Sequence, residues 1–530
     1  MRRAALLPSL LLLSFVLPSA AAAREAPGYH PYLPKDHGSE ARILTLDVHA
    51  LLASPRRHTP APQPDLAVLD RVAAGELPAD VDGENPRGPM PDGWVQRGGM
   101  VLPREIDEGR LQVEPDTIFA VEDIPGNEYP RKHTLFLNFN GGELKPGADN
   151  STENTSALAR AGNYPVWDQG QQKAISIAQA VQADFAPFGV AVVYETRPGD
   201  VAPYTMEMMG GDWTDTNIDS PAGGVAPGAD CGALGQRHVV YAFNSFSAVQ
   251  MANTASQEAG HAYGLDHTFD CNSVMSYCGG GDGSFRTECA GLCEAQCQGP
   301  NSAGCQLTHE MFCGDGSLQQ NDFDEMTWIF GGNEPDMEPP VATIESPTDG
   351  QAFEVGADVQ FRAVVDDNYG GYGWKFVFYK DGEVIYDQID FDREVDDQYR
   401  AAVNLAGLDA GTYELHIEVH DQFAHVTEDV VTIQVGDAAG TDGGTNATGA
   451  GTDGGGSASG GSDGGADSGT DGGSDGSASD TAMGSGDDGS VDRGCGCDAG
   501  GPAGPSTAAA WLLAVVAGTA RRRARARSGR

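Results

Sequence analysis

Eleven residues, Gln257 to His267 (QEAGHAYGLDH), restrict what this chain can fold into more than any other stretch. Positions four apart on a helix share a face, about 5–6 Å apart at Cβ, so residues 257 and 261 can grip one ion from adjacent turns. Glu258 stands one step round, where a carboxylate can take a proton without binding the metal. Gly264 lets the chain leave the helix in a left-handed conformation that other residues resist. His267 can then swing back toward the same point. Catalytic zinc sites keep three protein ligands and one open position. The chain therefore needs a long helix, a sharp exit and a return loop at this place.

With SVMSY at Ser273–Tyr277, the segment resembles the active-site helix and Met-turn of the metzincin zinc proteases, H-E-x-x-H-x-x-G-x-x-H followed by a turn containing Met. Glu258, His261, Gly264, His267 and Met275 occupy the family's positions; Gln257 replaces its first histidine. The resemblance implies Glu258 as general base, His261 and His267 as zinc ligands and Met275 as an apolar floor under the metal. A neutral amide oxygen is a poor zinc donor, so Gln257 would bind weakly. SVMSY is similar to the Met-turns of the serralysin and astacin branches, where a tyrosine at the place of Tyr277 can reach the zinc. Asp266 is a less favoured third donor. Two functions follow: a zinc-dependent metalloendopeptidase acting on extracellular proteins, or a catalytically impaired pseudoprotease serving as a peptide-binding or adhesion module.

The flanking sequence predicts an α+β unit over 131–335. HTLFLNFNG (133–141) alternates as a strand does, residues 171–186 place Ile175, Ile177, Ala178, Val181 and Phe185 near helical spacing, and GVAVVYETRP is a β-branched strand ended by Pro198. RHVVYAFN (237–244) is a further strand. The motif helix follows over 247–264, with Ser245 or Ser247 as its cap, and a closing helix spans 319–331. This order is that of the metzincin upper half-domain, and FLNFNGG and DFAPFGVAVVYETRP resemble secreted myxobacterial metzincins.

Eight of the ten cysteines lie between Cys231 and Cys313. In an exported chain an even count predicts disulfides, here four; a zinc cluster of Cys289, Cys293 and Cys297 is the weaker reading. GGGDGSF (279–285) could hold calcium, although a polar loop explains it as well, and calcium stays a possible second cofactor beside zinc.

Residues 339–436 predict a second, all-β unit. VATIESPTDGQAFEVGADVQFRAVVDD alternates between turn signals, WKFVFYKDGEVIYDQ reads as a hairpin about Asp381-Gly382, and Tyr413, Leu415, Ile417 and Val419 keep step. About seven short strands in one hundred residues resemble an immunoglobulin-like sandwich. Spacing or weak adhesion is its expected role.

The ends give an address. Residues 1–23 have a basic start, an apolar stretch and small residues near Ala23, as an export signal does. Residues 24–130 are an N-terminal extension or propeptide without sustained periodicity, read as loosely packed; lacking cysteine, they cannot inhibit by a thiol switch. Residues 437–492, rich in Gly, Ser, Thr and Asp and without an aromatic, predict a disordered spacer. Residues 493–530 (GCGC, a short apolar stretch, RRRARAR) resemble the MYXO-CTERM sorting signal of myxobacterial surface proteins. The expected location is outside the cell, secreted or anchored to the cell-envelope membrane through the C-terminus. A net charge of −45 opposes nucleic acid as a partner and leaves a protein or peptide substrate.

Overall fold

The computed structural model describes residues 43–79, 132–218, 221–229, 231–232, 237–245, 247–276, 283–293, 305–314, 318–390 and 400–436, and the backbone of 94–97 and 100–103. Residues 1–23, 437–492 and 493–530, expected to be an export signal, a spacer and a sorting segment, lie outside them, as does Tyr277. Among the described residues no helix is long and apolar enough to cross a membrane.

The chain opens with β1 (Leu44–Asp47), α1 (Val48–Ala53), the two-residue strand β2 (Arg56–Arg57) and α2 (Ala67–Ala73). It continues into a helix-and-sheet unit of β3 (His133–Asn138), α3 (Gln171–Phe185), β4 (Val190–Val193), β5 (Thr205–Met209), β6 (Gly224–Val225), β7 (Val239–Ala242), α4 (Ala248–Tyr263), α5 (Gln306–Cys313) and α6 (Asp322–Phe330). Its sheet has the order β6-β7-β5-β3-β4. Four strands run parallel and β6 is antiparallel at the edge.

β3 is buried along its whole length, as befits a parallel strand covered on both faces. On one face, α3 lays Ala174, Ile177, Ala178, Val181 and Phe185 into a core shared with Ala248, Met251, Ala252, Ala255, Ala259 and Ala262 of α4. Alanine at these helical intervals keeps α4 helical at little entropic cost and lets it approach the sheet closely. A second core of Phe136, Tyr204, Met206, Met208 and Tyr241 fills the opposite face.

The all-β unit comprises β8 (Val341–Ser346), β9 (Ala352–Phe353), β10 (Val359–Asp366), β11 (Gly373–Lys380), β12 (Glu383–Ile389), β13 (Ala401–Ala406), β14 (Gly411–His420) and β15 (Val426–Val435). Two sheets, β1-β13-β10-β8 and β9-β15-β14-β11-β12-β2, enclose a core of Phe361, Trp374, Phe376, Phe378, Leu415 and Ile417. The inward side of β14 is Tyr413, Leu415, Ile417 and Val419, each without exposure. Asp381 and Gly382 both adopt positive φ (49° and 85°) and turn β11 into β12, the backbone that a two-residue hairpin with right-handed twist requires.

The segment ahead of residue 80 departs from the expected loose packing. β1 pairs in parallel with β13, placing Leu44 opposite Val403 and Leu46 opposite Leu405, and β2 pairs in parallel with β12. One short segment thus occupies an edge of each sheet, and Leu46, Val48 and Leu51 are buried in the sandwich core. Further on, Leu69 of α2 enters the core of the helix-and-sheet unit, and Asp70 accepts from the backbone N–H of Gln171 (2.8 Å). That N–H opens α3, whose N-cap, Gly170, has no side chain to supply the bond. Periodicity cannot reveal such pairing, because its partners stand hundreds of residues downstream.

Candidate active site

Ser247 caps α4, its hydroxyl accepting from Gln250 N–H at 3.1 Å. At the other end Gly264 is left-handed (φ 113°, ψ 10°), and the Leu265 N–H bonds back to Gly260 O at 3.0 Å. A side chain at 264 would meet Cys305 Sγ at 2.8 Å and Cys231 Cα at 3.2 Å. Glycine is therefore required twice, for its conformation and for its size. The Cys231–Cys305 disulfide lies against this exit and closes 74 residues that include α4 and the turn beyond it.

The exit brings His267 onto His261. The two Nε2 atoms stand 3.2 Å apart and the ring centroids 4.3 Å. His261 Nδ1 lies 2.6 Å from Leu265 O. A carbonyl only accepts, so the proton sits on Nδ1 and the Nε2 lone pair points at the partner ring. Two nitrogens bound at 2.0–2.1 Å to one tetrahedral ion would stand about 3.3 Å apart. The pair's spacing fits one zinc ion, with a second-sphere acceptor already fixing the tautomer of His261.

Gln257 donates its side-chain N–H to Ser276 O at 3.3 Å, tying the helix to the turn after Met275. Its amide oxygen is the one donor it retains for a cation. Among the described residues no third His, Cys, Asp or Glu joins the histidine pair. Asp266, weighed as a donor, is committed elsewhere: His309 Nε2 meets its Oδ2 at 3.0 Å, and His309 Nδ1 meets Glu325 Oε2 at 2.8 Å. Burial alone would lower the His309 pKa, but bonds to and charges on Asp266 and Glu325 outweigh it and raise it to about 9. An imidazolium thus pins the exit loop to α5 and α6. Sequence reading missed it, since a lone histidine in QLTHEMFC carries no spacing signal.

Met275 is fully buried beneath the helix. A Cβ on Gly260 would approach its sulfur to 2.7 Å. Ser273 Oγ accepts from Met275 N–H (2.9 Å) and donates to Asp322 Oδ2 (2.6 Å), while Met275 O accepts from Thr268 N–H (2.7 Å). The turn is consequently locked to α6 on one side and to the histidine loop on the other.

Glu258 is 3 % exposed and lies under the edge strand β6, where a side chain on Gly224 would meet its Cγ and Oε1 at 2.6 Å. Near it Glu207, on β5, is wholly buried, and among the described residues neither of its carboxylate oxygens has a hydrogen-bond partner. Burial, and after it the charge on Glu258, hold Glu207 well above the usual carboxylate range. Its strand, TMEMM, gave no sequence signal.

Cys289 pairs with Cys313, which removes it from a cluster with Cys293 and Cys297 and sets aside the zinc reading of those thiols. Cys271 is also disulfide-bonded. Cys278 and Cys297, and most of the 279–285 run, lie outside the described residues.

Residues 340–417 match the family model of a bacterial Ig domain. Among solved structures, the chain is similar to the fibronectin(III)-like modules of Clostridium thermocellum CbhA (23 % identity, 18 % of this chain and 96 % of that one, TM-score 0.15). It is also similar to the human B7-H4 IgV-like domain (15 %, 18 % and 98 %, TM-score 0.13) and to I81 from titin (17 %, 19 % and 97 %, TM-score 0.12). No curated protein matches the chain. The all-β unit is an immunoglobulin-like domain.

Proposed function

We propose that the chain is an exported, surface-anchored zinc-dependent metalloendopeptidase of the metzincin type, its helix-and-sheet unit acting on peptide bonds of extracellular proteins. The observation that carries this reading is the 3.2 Å approach of the His261 and His267 Nε2 atoms beside the buried Glu258. His261 and His267 would hold the ion, with Gln257 Oε1 or Tyr277 as a weaker third donor. Bound there, zinc would supply Lewis acidity toward the scissile carbonyl. Glu258 serves as general base, with Glu207 beside it held toward its protonated form by burial and by the charge on Glu258. Met275 supports the helix from below through Gly260. The immunoglobulin-like domain and the 437–492 spacer would hold the peptidase away from the membrane at which 493–530 anchors it.

The bond from Gln257 to Ser276 O favours a second reading, a pseudoprotease of the same build that retains peptide binding without turnover. Metal content separates the two. Restoring imidazole with Gln257→His should tighten zinc about 10–100-fold, since even changes outside the ligand sphere act on that scale. Zinc measured by elemental mass spectrometry after dialysis against graded chelator reads this directly. No gain in zinc would show that residue 257 does not face the histidine pair and would sink the metal-site reading.

A further inference from the structure

We propose that Asp336, Asp367 and Asp421 form a calcium site at the junction between the helix-and-sheet unit and the immunoglobulin-like domain. The three come from separate segments: Asp336 from the stretch linking α6 to β8, Asp367 from the loop after β10, and Asp421 from the turn after β14. One carboxylate oxygen of each lies within 4.8 Å of the others. Oxygens bound to a single calcium at about 2.4 Å can be no more than about 4.8 Å apart. Magnesium, at 2.0–2.1 Å, demands a tighter cage, and an all-carboxylate set is unsuited to zinc.

The hydrogen bonds show that this cluster is more than acidic side chains facing water. Asp336 is 4 % exposed; its Oδ1 accepts from Glu338 N–H (3.0 Å) and Asn368 Nδ2 (3.1 Å), while the buried Oδ2 has no donor. Asp367 repeats the arrangement, with Oδ2 accepting from Tyr369 N–H (3.2 Å) and a buried Oδ1 lacking any donor. Asp421 is fixed by the N–H groups of Phe423 (2.7 Å) and His425 (2.9 Å) and by His425 Nδ1 at Oδ2 (2.8 Å). Among the described residues these two shielded carboxylate oxygens have no donor, and a buried acceptor without a partner is unfavourable unless a cation faces it.

Among the described residues, the basic side chains Lys132 and His425 stand by the three carboxylates. Lys132, its Nζ 4.4 Å from the Tyr369 ring centroid, feels the charge of Asp336 and supplies one positive charge. Around the cluster Gln422 Nε2 donates to Gly371 O (2.8 Å) and also to Pro203 O of the other unit. A side chain on Gly373 would collide with Val201 O. A cation here would fasten a close-packed junction.

The full exported chain should bind Tb³⁺ with emission sensitised through Tyr369, and Ca²⁺ should displace it at about 10⁻⁴–10⁻³ M, the range of extracellular calcium modules. Spacer carboxylates add a background common to every variant, so the difference between chains is the readout. Asp336→Asn with Asp367→Asn should weaken Ca²⁺ at least about tenfold with an unchanged far-UV spectrum, as ligand charge sets affinity. The single Asp367→Asn, at the more exposed position, gives the same direction should the double variant unfold. An unchanged displacement midpoint in the folded variants, or no Ca²⁺ response in the parent up to about 10 mM, would overturn the site.

Discussion

In the helix-and-sheet unit, the region around the histidine pair is closed by covalent and ionic links: Cys231–Cys305 against Gly264, Cys289–Cys313, and His309 between Asp266 and Glu325. The immunoglobulin-like domain has no cysteine. It closes instead by interleaved aromatic and aliphatic side chains, and by taking β1 and β2 from a segment more than three hundred residues upstream. The difference follows from what each part must hold. A sandwich repeats one alternating pattern across two faces and can rely on apolar area. A loop-rich site aims particular atoms, and its irregular backbone buries too little apolar surface to fix itself.

The largest expected effect tests whether that aimed geometry performs chemistry. In any preparation that cleaves peptide, Glu258→Ala should lower kcat by about 10²–10⁴-fold. Zinc content should barely change, because Glu258 is not a ligand. Turnover that survives would place catalysis elsewhere and leave the contrast purely architectural.

Removing the Cys231–Cys305 bridge by paired Cys→Ser substitution should destabilise the site unit by about 4–5 kcal/mol, on the chain-entropy scale for a 74-residue separation. Only the transition of this unit should move in a calorimetric scan. A matching drop in the sandwich transition would mean that the two units unfold together. The converse perturbation is Leu51→Ala, which should cost the sandwich about 2–5 kcal/mol in denaturant titration. A near-neutral result would show that the upstream segment only decorates the sheet edges.

The smallest effect is a pH dependence. The folded pKa of His309 is raised from 6.5 to about 9. Its contribution is therefore fully present below about pH 6.5 and is lost as pH rises through about 9, on the order of 1–3 kcal/mol. His309→Gln should flatten Tm against pH between those limits. A slope identical to the parent's would remove the imidazolium from the account of the exit loop.

What the sequence disclosed follows this same division. α4 was legible because a helix writes its face at fixed intervals and Gly264 marks its end, and the inward side of β14 because alternation survives where one face is covered. β5 was not, since TMEMM is buried along its whole length and includes a buried glutamate, a residue type that reads as surface. β6 is two residues long. β1 and β2 are strands by virtue of distant partners, and no local window contains them. The convergence of His261 and His267 was open to reading from spacing, while Glu207 and His309 took their character from neighbours that only the folded chain supplies.

The pairing of β1 with β13 and of β2 with β12 also bears on any cut in the chain between residues 80 and 131. Such a cut would sever a peptide bond without dismissing the fragment, which is held by ladder hydrogen bonds and by Leu46, Val48 and Leu51. Dissociation would have to uncover an edge of both sheets at once and expose them as templates for other strands. Maturation by clipping there would therefore yield a nicked two-chain molecule, with residues 44–57 still seated at the edges of both sheets.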